Sequence, residues 1–384
     1  MDFSKLGKKI YVAPLVIIVV LSCLFALIFV PMLQAEPKQV PFAVVSLDEG
    51  GTTIAGSSNI GDTMVETLTE GDGLGAIGEE EGSVDEDMSN TIAWTVLDSE
   101  EAVRDAIGNN EYYGALIIPK DFTSAQMASM VGLGSAPELT LLLNVGKNPT
   151  LANSIQMTLS QAMLKAGVAL DVEEVNTADI GGGMMASMIA AQFMVMPLFL
   201  LSFIPSILVS LLLWPRGAHV DRQQKTKRFG LQLAYILSLS LLNTLCVLFI
   251  TIVLSGLTLP FADMLWFMWF ASACLMLAIV GLCNIALPAG VLIAFLVFGF
   301  GMSTVMLAPE MLPEFWADWI CPWIPQYHIG QGIRSIIYFK TAPDVVDLTP
   351  FIVMALIGLV CMIVAWVLPS RTKDTKRSQE VQAV

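Results

Sequence analysis

Long apolar blocks without a single charge constrain this chain more than any other feature. Five occur, at residues 10–33, 184–214, 229–262, 264–309 and 348–370. In lipid every backbone N–H and C=O must find its partner within the protein, and a helix does this locally. A bilayer core about 30 Å thick takes roughly 20 apolar residues in a helix. The fourth block has 46 residues, which as one helix would be about 69 Å long at 1.5 Å per residue. That is too long for one span. Asn284, Pro288 and Gly290 place turn signals near its middle, so it is expected to fold back there. Six spans result, and an even count puts both termini on one side.

Charge assigns the sides. Basic residues gather in cytoplasmic segments. Lys5, Lys8 and Lys9 precede the first block, Arg216, Arg222, Lys225, Lys227 and Arg228 join the second to the third, and Arg371, Lys373, Lys376 and Arg377 follow the last. All three clusters fall on one face of a six-span chain. Residues 36–183 instead hold 24 acidic against 5 basic residues. The net charge of −15 thus joins a basic cytoplasmic rim to an acidic domain outside the membrane. The first block exceeds the usual length of a signal-peptide core, about 7–15 residues, and is read as a retained span. Five of the six cysteines lie within the blocks and the acidic domain has none, so no disulfide framework or cysteine zinc site is expected.

The acidic domain reads as alternating strands and helices. Residues 40–47 are a β-branched run ended by Asp-Glu-Gly-Gly, a buried strand before a turn. Residues 60–68 are weakly helical, and 70–90, rich in Gly, Glu and Asp, are read as a mobile loop because they bury too little apolar surface. Strands are expected at 92–97, 113–118 and 138–144, and helices at 100–108, 121–130 and 149–172. The last carries an apolar stripe of Leu151, Ile155, Leu159 and Met163. This alternation implies a compact α/β domain. A Gly181–Gly183 hinge leads to the second span, and residues 310–347, with Trp316, Trp319, Trp323 and Tyr327, are expected at the membrane interface.

The expected fold is therefore an α-helical polytopic membrane protein with six transmembrane helices and an inserted extracytoplasmic α/β domain. Its parts are 1–35, 36–183, 184–370 and a basic tail, 371–384. No phosphate-cradling GxxxxGK[ST] loop, GxSxG elbow or HExxH pair occurs. His219 and His328 fall on opposite faces and cannot share a metal. Catalytic residues, cofactors, metals and nucleic-acid partners are not expected. The absence of charge inside the spans argues against a self-powered proton pump. Gln192, Gln232, Asn243 and Asn284 are the polar residues of the spans. They read first as helix ties, and Gln192, Asn243 and Asn284 also as candidates to line a path. The basic segment 215–228 reads as an anchor on charge alone.

From Pro309 onward, Leu312-Pro313, Phe315, Pro322, Pro325, Tyr327 and Arg334 resemble the loop before the last span of type-2 ABC exporter permeases. Phe42–Gly50 and the run Tyr112–Phe122 are similar to the opening strand and the Ile-Pro-x-Asp-Phe turn of one branch, the phage-infection-protein-like (YhgE/Pip) membrane proteins. Asn144–Asn148 follows that branch loosely, departing from it at Val145-Gly146. The resemblance implies an exporter permease subunit, paired with itself or a related permease and powered by a separate nucleotide-binding ATPase. Arg216, Arg222, Lys225, Lys227 and Arg228 would then belong to the ATPase-coupling segment. The alternative is a non-transporting surface scaffold or receptor.

Overall fold

The computed structural model describes residues 31, 33–53, 56–70, 91–178, 180–181, 183–216, 221–339 and 347–368. Apart from residues 31, 33 and 70, the expected first span, acidic loop and basic tail lie outside them, as do Gly217, Ala218 and His219.

The N-terminal half is an α/β unit. Strand β1 (Val40–Ser46) leads through a short hairpin, β2 (Gly51–Thr53) and β3 (Gly56–Ser58), into helix α1 (Ile60–Glu70). Then come β4 (Ile92–Val96), α2 (Glu100–Gly108), β5 (Gly114–Ile118), α3 (Phe122–Met130), β6 (Glu138–Asn144), α4 (Pro149–Lys165) and β7 (Ala169–Val175). The five-stranded sheet runs β4-β1-β5-β6-β7, and only the β5–β6 pair is antiparallel. From β1 the chain crosses to β4 on one side and returns to β5 on the other. Right-handed crossovers require the two connecting helices to take opposite faces. They do. Leu68 of α1 joins Phe122, Leu151, Ile155 and Leu159 under one face, while Val103 and Ile107 of α2 cover Ala43, Val45 and Ala115 on the other.

Two features differ from the sequence reading. The helix expected over 149–172 ends at Lys165, because Gly167 adopts a left-handed backbone (φ 69°) that favours glycine. The chain then forms β7, an edge strand whose Leu170 and Val172 are half-buried while Asp171, Glu173 and Glu174 are exposed. Its period of two was hidden by carboxylates, which disfavour strands. The β2–β3 hairpin was also not anticipated.

The C-terminal half is helical: α5 (Gly183–Leu213), α6 (Arg222–Leu248, continued by a π-helical turn, Phe249–Leu254), α7 (Phe261–Ile285), α8 (Leu287–Met306), α9 (Pro325–Tyr338) and α10 (Thr349–Val367). Among the described residues five helices, α5, α6, α7, α8 and α10, are long and apolar enough to cross a membrane. The long fourth block breaks where its turn signals lie, with Ala286 extended between α7 and α8. Helix α7 sits at the centre, packed by α10, α5, α6 and α8. Helix α9 has 14 residues, short of the roughly 20 that a span needs. It nonetheless packs among α5, α7 and α8 with most of its surface buried. Gly332 permits this, since a Cβ there would lie 2.1 Å from the Phe267 ring.

Candidate functional site

The basic segment is helical from Arg222 onward, seven residues before the third apolar block begins. Arg222, Lys225, Lys227 and Arg228 form the first two turns of α6, continuous with a membrane helix. Lys225 is buried and its Nζ donates to the carbonyl of Leu368, just beyond the end of α10, at 2.7 Å. A helix C-terminus carries unpaired carbonyls and partial negative charge, so a buried ammonium there is a lock. The Arg222 guanidinium lies 4.4 Å over the Trp366 ring, and the Trp366 indole N–H donates to Thr226 Oγ1. Arg216 closes the end of α5 in the same way. Its Nη1 donates to the carbonyls of Ser210 and Leu211, and its Nη2 to Ser210 Oγ. Lys227 and Arg228 remain exposed.

From Arg216 a chain of hydrogen bonds runs between helices. Ser210 Oγ donates to Asn284 Oδ1 at 2.8 Å. Asn284 and Gln232 then bond each other through both amide groups, at 2.9 and 3.2 Å. Further along, Asn243 Nδ2 donates to the Leu198 carbonyl, Ser202 Oγ and Ser272 Oγ, all within 3.0 Å. Gln192, Asn243 and Asn284 are all buried. For Asn243 and Asn284 these bonds join α5, α6 and α7, the helix-tying arrangement that buried amides adopt in membranes.

The opposite end of the bundle meets the α/β unit. There the loop between α8 and α9 turns at Pro313, whose carbonyl accepts from the backbone of Trp316 and Ala317. Pro322 is exposed and its carbonyl bonds the His328 ring, while Pro325 opens α9 and is buried. Tyr113 at the start of β5 donates its hydroxyl to Glu310 Oε2 at 2.9 Å. Burial first, and then the Glu310 charge, push the Tyr113 phenol well above its ordinary range. Lys147 caps the carbonyls of Asn110 and Glu111 and lies 4.7 Å over the Tyr113 ring, and burial lowers its ammonium pKa. Tyr327 is half-buried and Arg334 buried. Sequence reasoning named Tyr327 and Arg334 as motif residues but did not bring Tyr113, Lys147 and Glu310 together, because their meeting depends on contacts up to 197 positions apart.

An apolar crevice of about 560 Å³ lies between α7, α8 and α10, lined by Phe199, Ile279, Ala294, Phe351 and Met354, with His328 and Asp347 at its polar margin. Among the described residues no cluster of His, Cys, Asp and Glu could hold a metal ion.

Membrane-length helices tied by buried amides, with basic locks at one end, define a multi-pass membrane protein. A family model described as ABC-2 family transporter protein matches residues 10–367, and the chain belongs to that family. Its members are transport subunits rather than enzymes. Neither a curated protein nor a solved structure matches the chain.

Proposed function

We propose that this chain is the permease subunit of an exporter powered by a separate nucleotide-binding ATPase, with two copies or two related permeases around one path. Family membership over residues 10–367 carries the reading. The chain itself offers helices and no nucleotide-binding loop. In this reading residues 10–33 form a sixth span, the termini and the basic segment face the cytoplasm, and the α/β unit lies outside. The sequence likeness to the phage-infection-protein-like branch supports that arrangement. Exposed Lys227 and Arg228 then present charge to the ATPase, while Arg216, Arg222 and Lys225 fasten the helix ends that must move with it. Asn243 and Asn284 act here as ties that carry the movement across α5, α6 and α7.

Affinity purification of the full chain from its native membrane tests this. A nucleotide-binding subunit should co-purify, and changing Lys227 and Arg228 together to Ala should weaken its retention while the chain still inserts. Recovery without any nucleotide-binding subunit would favour the scaffold reading. Labelling of introduced cysteines from outside intact cells should reach Asp344→Cys and Ser83→Cys but not Gln224→Cys. Labelling at Gln224→Cys would overturn the orientation.

A further inference from the structure

Arg334 is only 4% exposed, yet among the described residues no ion pair engages it, and its Nε is sealed from water without an acceptor. Buried cations are ordinarily paired, because leaving water without a partner is costly. The surroundings supply no compensation. The titratable groups in its field are the phenols of Tyr113, Tyr327 and Tyr338, which are neutral hydrogen-bonding groups rather than counter-ions. The nearby carboxylate, Glu310, bonds Tyr113 instead. Packing does not explain the residue either. On α9 its neighbours are Ile329, Gly330, Ile333, Ile336 and Ile337, all buried, and an apolar side chain would suit them better. Nη2 also runs past Gly330, one turn earlier, where a Cβ would lie 3.8 Å from it and 3.8 Å from Val195 Cγ2. An ionisable group held among membrane helices marks a functional position when no internal partner satisfies it.

We propose that Arg334 recognises an oxyanion, a phosphate or carboxylate group, that enters where the α/β unit meets α9 and bonds the guanidinium. Guanidinium forks fit such groups in two-bond geometry. The inference deepens the permease reading by assigning the cargo an anionic group, and it rests on that reading only for the word cargo. The same chemistry could come from a free anion or from the headgroup of a lipid.

The test uses the full chain in phosphatidylcholine nanodiscs, followed by thermal unfolding. Inorganic phosphate is added against chloride at matched ionic strength, and in a second arm part of the lipid is replaced by phosphatidylglycerol. A saturable rise in melting temperature is expected in at least one arm. A rise with phosphate alone assigns a free oxyanion, and a rise only with phosphatidylglycerol assigns a headgroup. Arg334→Met should abolish the rise. Arg334→Lys, which keeps the charge and folds if Arg334→Met does not, should weaken apparent affinity about tenfold through loss of the fork. No rise in either arm, or the same rise with unchanged affinity in Arg334→Lys, overturns the proposal. Co-purification of an ATPase without any anion effect would sink this inference and leave the permease reading standing, and the reverse result would do the opposite.

Discussion

Asp48 stands at the C-terminal end of β1, where the crossovers to β4 and β5 diverge. Open parallel sheets commonly take ligands at such a switch point, and here the chain places one of its own carboxylates there. Asp48 accepts from the backbone N–H of Gly50, Gly61 and Thr123 and from the Thr123 hydroxyl, which closes the first turns of α1 and α3 together. Gly61 is required for the approach, since a Cβ there would lie 2.6 Å from the Asp48 Cβ. Burial alone would raise the Asp48 pKa, yet the hydrogen bonds from Thr123, Gly61 and Gly50 outweigh it and hold the carboxyl below its usual range. A depressed folded pKa means stability that is full above the unfolded value, about 3.9, and lost as pH falls through the folded value. Asp48→Asn should therefore cost about 1–3 kcal/mol near neutrality, and part of the acid sensitivity below about pH 4 should vanish with it. Thermal unfolding across a pH series reads both effects, and an unchanged melting temperature would reduce the network to decoration. Lys225 makes a similar argument inside the bundle. Lys225→Met should lose about 1–3 kcal/mol, because it frees the Leu368 carbonyl. The exposed control Lys227→Met should stay within about 0.5 kcal/mol. Both remove one positive charge, so the difference between them isolates the lock from the topology signal.

Elements meet closely in this bundle only where glycine allows it. A Cβ on Gly281 of α7 would lie 2.3 Å from the Gly358 carbonyl of α10, and one on Gly358 would lie 2.6 Å from the Ala278 backbone. Small residues of this kind replace the hydrophobic drive that lipid cannot provide. Gly358→Val should destabilise the α7–α10 contact by about 1–3 kcal/mol through overpacking, whereas Ile357→Val, on the half-exposed side of the same helix, should barely change detergent stability. The apolar blocks themselves, the break at Ala286 and most of the strands were legible in the sequence because each is a local pattern. The lock by Lys225 was not. It joins residues 143 positions apart, and from composition a basic cluster beside a span reads only as an anchor. Arg334 was legible as part of a motif, but its isolation among apolar neighbours appears only once α9 is packed. The edge strand β7 was missed because alternating carboxylates disguise a strand as a polar helix end.

The molecule as a whole is joined through a core that the α/β unit does not close by itself. Leu307, Ala308, Met311, Leu312 and Cys321, from the loop between α8 and α9, belong to the same buried cluster as Phe42, Leu116 and Leu159. The Lys38 N–H donates to the Glu310 carbonyl, the Tyr113 hydroxyl reaches the Glu310 side chain, and a Cβ on Gly146 would press within 2.8 Å of Tyr338. That loop runs directly into α9, which is buried among α5, α7 and α8. A displacement of the α/β unit therefore reaches the bundle through α9 as well as through the 176–183 connection. Leu312→Asp tests whether this seam carries coupling energy. The side chain is 6% exposed, so the variant places an unpaired carboxylate in the shared core at a cost of several kcal/mol. The sheet and the bundle each keep their remaining contacts. The wild type should unfold in one transition, and Leu312→Asp should separate it into two, with faster protease cleavage within 176–183. Asp318→Asn, an exposed change in the same loop, should leave both readouts as they were. A single transition at the wild-type temperature in Leu312→Asp would mean that the unit and the bundle are linked by little more than the chain between them, and α9 would lose its standing as the element through which they communicate.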